Sequence, residues 1–109
     1  MKDRELMEAA ATAAGHDPVL WCGTLGWLCE TLDKAPRFYW NPLTDDGDAL
    51  RLAVKQGIHI SHQLSYCATF CPHGDNSTRG TTWTEQYNAD PAAATRRAIV
   101  RAAAAMGKP

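Results

Sequence analysis

The sequence predicts an α+β fold: antiparallel β-sheet with helices packed on it, α-β-α sandwich-like, in the order α-ββ(β)-α-βββ-α. Three observations predict it. Three segments carry apolar residues at helical spacing between helix-end signals. The stretches separating them are rich in aromatic and branched residues and are broken by short turns, the mark of antiparallel strands. Finally, 109 residues with 45% hydrophobic and 21% charged content fit one domain, residues 1–109, with enough apolar surface to form a core.

Residues 3–14 place Leu6, Met7, Ala10, Ala13 and Ala14 on one helical face, with Glu5, Glu8 and Thr12 outside. Gly15 is a natural stop, and Asp17-Pro18 opens an extended run. Val19 to Leu32 reads as a β-hairpin with its turn near Gly23–Gly26. Asp33 to Pro36 is a turn, and Arg37-Phe38-Tyr39-Trp40 forms a third short strand. Asn41-Pro42 ends it, because the residue before proline is pushed out of the helical region.

The second helix takes Thr44 as N-cap, with Asp45, Asp46 and Asp48 in its first turn. Ala49, Leu50, Ala53 and Val54 form its expected buried stripe, and Gly57 closes it. Strands follow at 58–62, 66–71 and 81–87, with a long polar, glycine-bearing loop at 72–80 between the last two. The final helix starts at Asp90 as N-cap and Pro91 as first helical residue. Ile99, Ala102, Ala103 and Met106 point inward, and Arg97 and Arg101 point outward. The two halves share a strand-and-helix rhythm without a residue-level repeat.

A formal net charge of −1 argues against direct nucleic-acid binding, which needs a basic surface. No apolar run approaches the ~20 residues that span a bilayer. The opening Met1-Lys2-Asp3-Arg4-Glu5 does not read as a secretory leader. The four cysteines are accordingly expected to be reduced thiols.

His59, His62, Cys67, Cys71 and His73 form the one cluster of possible metal ligands. On a regular strand Cys67 and Cys71 would lie ~13 Å apart, too far to share an ion, so no metal and no cofactor are expected. A zinc-binding or catalytic role for the 59–75 region is the lesser alternative. Cys71, His73 and Asp75 in one loop make a poor catalytic triad, since triads are defined by spatial roles. Helix capping explains the acidic turn 44–48, where calcium would need alternating donors and a final Glu. No catalytic residues are assigned.

The segment Trp40-Asn41-Pro42-Leu43-Thr44-Asp45-Asp46-Gly47-Asp48-Ala49-Leu50-Arg51-Leu52-Ala53-Val54-Lys55 resembles the central motif of the phage ABA-sandwich domain family of small phage and prophage proteins. Ala94 to Ala104 and the opening Leu6-Met7-Glu8-Ala9-Ala10 are similar to it as well. The resemblance implies a phage accessory protein without assigned enzymatic activity, in a helix-sheet-helix sandwich, and transfers no catalytic residue.

The expectation that follows is a non-enzymatic inhibitor in the host bacterial cytoplasm. It would bind a host defence protein, such as a CRISPR effector, one to one. Its candidate contacts are His73, Arg79 and Trp83 in and beside loop 72–80, with Tyr39 and Arg97 as further aromatic and cationic anchors. The alternative is a sponge for a nucleotide immune signal, with Trp40 or Trp83 stacking on the base and Arg79, Arg96 or Arg97 meeting phosphate.

Overall fold

A computed structural model describes residues 2–30, 38–70 and 82–106. The order is α1 (Asp3–Ala13), β1 (Asp17–Cys22), β2 (Gly26–Glu30), β3 (Phe38–Trp40), α2 (Asp46–Gln56), β4 (His59–His62), β5 (Tyr66–Phe70), β6 (Thr82–Gln86) and α3 (Pro91–Met106). The fold is α+β. The strands divide into two antiparallel three-stranded sheets, β1-β2-β3 and β4-β5-β6, with helices against one face of each. α1 packs on β1 and β2, α3 packs on β5 and β6, and α3 also packs on α1 and α2.

Alanine makes this central position of α3 possible. Ala98, Val100, Ala102 and Ala103 are wholly buried, and their small side chains let neighbouring backbones approach closely. The inward set is therefore wider than the expected stripe, with Met106 half-buried at its end. The start of α3 is as expected, with the Ala93 amide donating to the Asp90 carboxylate at 3.0 Å.

In the first sheet Trp21, Trp27 and Trp40 form one cross-strand row. Trp21 and Trp27 meet edge to face with centroids 5.5 Å apart, the arrangement favoured by ring quadrupoles. Trp27 Nε1 donates to the Arg4 carbonyl at 3.0 Å, tying the sheet to α1. Gly26 closes the hairpin at φ +91°, and a Cβ there would run into the Trp40 carbonyl oxygen. The second sheet aligns Ile60, Thr69 and Trp83. Thr69 is wholly buried, and its hydroxyl is satisfied by donating to the Ala98 carbonyl at 2.8 Å.

α2 departs from expectation in two ways. Its N-cap is Asp45, one residue after Thr44, and the Asp45 carboxylate accepts the Asp48 amide at 2.8 Å. The carboxylate geometry decides this, because Asp45 reaches the amide three residues on. The buried stripe is Ala49, Leu52 and Ala53, while Leu50 is 60% and Val54 73% exposed. Leu50 and Leu52 both satisfy a helical period with Ala49 and Ala53; Leu52 is buried on the side of α1 and β3, while Leu50 borders the groove toward α3. Both α1 and α2 end at a left-handed glycine, Gly15 (φ 79°) and Gly57 (φ 66°).

Candidate binding surfaces

Each strand of the first sheet has two faces, and the outer one is apolar. Leu20, Leu28 and Tyr39 lie directly opposite one another across β1, β2 and β3. Leu20 is 58% and Tyr39 48% exposed, and Leu28 is half-buried. A register shift between Pro18 and Leu20 turns Val19 out as well, and Leu25 in the hairpin turn is exposed. The alternation expected for 37–40 holds over Phe38–Trp40, the part that is described: Phe38 and Trp40 face the helices and Tyr39 faces away.

Two concavities flank α2. One is a mostly apolar groove of about 320 Å³ between α2, β4 and α3, lined by Leu50, Ile60, Ile99 and the Arg96 stem. The other, of about 480 Å³, lies between the end of α1, β3 and α2. There the His16 ring stands edge-on to Phe38 and Trp40, with centroids 5.1 and 5.4 Å away. Burial lowers the His16 pKa below its ordinary value, and nearby Lys55 lowers it further against an opposing pull from Asp48. His16 is therefore uncharged at neutral pH.

The acidic turn serves capping and local pairing. Asp48 accepts the Asn41 amide at 3.0 Å and the Arg51 guanidinium at 2.7 Å. Among the described residues, no three His, Cys, Asp or Glu side chains converge to hold a metal ion. Of the suspected ligands, His62 lies opposite Cys67 across β4 and β5. The His62 ring is engaged by the Tyr87 hydroxyl at 2.9 Å, and Cys67 is wholly buried. Cys71 and His73 lie outside the described residues.

Cys22, Cys29 and Cys67 are free thiols. Burial pushes the Cys29 pKa up to about 11, with Asp17 and Asp48 adding to it. Burial also raises Cys67. The backbone amides of Leu25 and then Thr24 lower Cys22 by stabilising its thiolate.

Of the anticipated contact residues, Tyr39, Trp83 and Arg97 are described, on β3, β6 and α3. His73 and Arg79 lie outside the described residues. Trp83 is half-buried in the row that faces α3. Arg97 pairs with Asp3 at 3.0 Å where α3 meets α1. Trp40, the stacking candidate, is almost wholly buried, and Arg96 is engaged with Asp46 and the Leu43 carbonyl. Tyr39 alone among the named aromatics presents a broad exposed surface. Sequence reasoning singled out Tyr39 by alternation but missed its row-mates Leu20 and Leu28, because the bulge at Val19 shifts the register. It also missed His16, whose setting depends on α1, β3 and α2 meeting.

Among the described residues, no helix is long and apolar enough to cross a membrane. No family model matches the chain, and neither the curated proteins nor the solved structures compared with it contain a match.

Proposed function

We propose that this protein is a non-enzymatic binding protein that acts one to one on a partner protein through the outer face of its first sheet. The observation that supports this reading is the exposed row Leu20–Leu28–Tyr39. An apolar, aromatic-centred patch of this kind is what protein interfaces use and what an unpartnered surface seldom carries. The resemblance of segments 40–55 and 94–104 to small phage accessory proteins supports a bacterial defence protein, such as a CRISPR effector, as the partner. The site of action would then be the host cytoplasm.

The test is phage infection of a CRISPR-immune host expressing the protein. Leu20→Glu with Tyr39→Glu should abolish the gain in phage survival while leaving the circular dichroism melt unchanged, because both side chains are largely exposed. Full activity of that double variant overturns the sheet-face reading. If His73→Ala with Arg79→Ala alone abolishes the effect, contact belongs to loop 72–80. Activity far below one protein per target would require turnover and end the inhibitor reading.

A further inference from the structure

The concavity between the end of α1, β3 and α2, which meets the sheet face only at Tyr39, carries a further inference. On α2, Asp48, Arg51, Leu52 and Lys55 follow one another at helical spacing and line it together. Asp48 accepts from the Asn41 amide and the Arg51 guanidinium, and Asp45 stands 3.8 Å from the same guanidinium nitrogen, so two carboxylates hold Arg51 in place through one of its nitrogens. Lys55 is exposed and forms no ion pair among the described residues. Its ammonium lies beside Gly15, where a Cβ would stand 3.5 Å from Nζ.

Across from α2 stands an apolar wall made by half-buried Phe38 and the edge of Trp40, with the His16 ring fixed edge-on to both aromatics. The site thus joins two cations one helical turn apart to an aromatic wall with a ring nitrogen. Its volume of about 480 Å³ falls in the range of small-ligand pockets. The Lys55 ammonium supplies a point charge for phosphate oxygens, and the Arg51 nitrogens not engaged by Asp48 add directed N–H donors. A flat apolar body is what the wall would cover.

We propose that this concavity is a binding site for a nucleoside monophosphate, its phosphate held by Lys55 and Arg51 and its base set against Phe38 and His16. Of the docking row only Tyr39 also borders the concavity; Leu20 and Leu28 do not line it, and the nucleotide contacts assigned here are to other residues.

The experiment is a titration of isotopically labelled protein with 5′-AMP, 5′-GMP and inorganic phosphate, followed by amide NMR. A nucleotide should give saturable one-to-one shifts centred on Gly15, His16, Phe38 and residues 51–55. Lys55→Gln should weaken binding about tenfold or more with an unchanged melt, since its side chain is exposed. Inorganic phosphate should bind more weakly than the nucleotide by a similar factor, because it leaves the aromatic wall uncovered. The Leu20→Glu variant should bind nucleotide like the parent. The proposal falls if neither nucleotide shifts these residues at about 5 mM, or if the shifts map to the α2–α3 groove. It falls equally if Lys55→Gln binds like the parent, or if phosphate alone binds as tightly as the nucleotide.

Discussion

The halves α1-β1-β2-β3 and α2-β4-β5-β6 are built alike and finished differently. Each is a helix stopped by a left-handed glycine and followed by a three-stranded meander. Each helix begins with an aspartate paired to α3, Asp3 with Arg97 and Asp46 with Arg96. The inner faces diverge, with a tryptophan row in the first half and a threonine hydroxyl on an α3 carbonyl in the second. The outer faces diverge more. The first shows Leu20, Leu28 and Tyr39, whereas the second mixes Tyr66, Ala68 and Phe70 with Ser61, Thr82, Thr84 and Gln86. Folding requires one apolar face per sheet. A second apolar face in one half only is therefore a property of that half's surface, which the scaffold does not need.

The inner faces should differ in cost. Trp27→Ala removes a buried ring and its hydrogen bond to Arg4, and should destabilise by about 3–5 kcal/mol. Thr69→Ala should cost about 1–2 kcal/mol, since the Ala98 carbonyl it leaves is otherwise within a helix. Urea unfolding of both variants checks this, and a costlier Thr69 would place the core's centre in the second half.

The two aspartate pairs sharpen the comparison at smaller magnitude. The Arg96 side chain is only 16% exposed against 40% for Arg97, and Arg96 Nε also donates to the Leu43 carbonyl at 2.8 Å. Arg96→Ala should cost about 1–1.5 kcal/mol and Arg97→Ala under about 0.5 kcal/mol. Asp90→Ala, which removes the cap of the helix both halves share, should cost about 1 kcal/mol. Equal losses for the two arginines in chemical unfolding would show the halves tied to α3 with the same strength.

The smallest effect is a pH dependence confined to the first half. The His16 pKa is lowered in the folded protein, so below about pH 6.5, the ordinary histidine value, the unfolded chain binds more protons than the folded one. Stability should therefore be fully present above that pH and decline as pH falls through it. His16→Gln should flatten this part of the stability profile. Parallel profiles for parent and His16→Gln would remove His16 as the cause.

Local signals carried much of the fold. Leu6, Met7 and Ala10 at helical spacing, Gly15 and Gly57 as stops, Asp90-Pro91 as a start and the alternation of Phe38, Tyr39 and Trp40 all act over a few residues of chain. They determine helices and strands wherever the rest of the molecule packs, and they placed Tyr39 outward. The binding surfaces were less legible. Loop 72–80 drew attention by composition, while the Leu20–Leu28–Tyr39 row needs the bulge at Val19 and the pairing of three strands.

Tertiary structure decided what local periodicity leaves degenerate. Leu50 and Leu52 fit helical stripes equally well, and only tertiary packing buries Leu52, on the side of α1 and β3, and leaves Leu50 exposed. His16, Phe38, Arg51 and Lys55 are unremarkable in sequence and become a concavity only because Gly15 turns the chain between α1 and β1 beneath α2. Because capping, turn and alternation energies are short-ranged, the sequence by itself determined the elements, their order and the glycine stops of α1 and α2, though not the cap of α2. Which faces meet, and which remain open to a ligand or partner, is settled by side-chain packing between residues far apart in the chain.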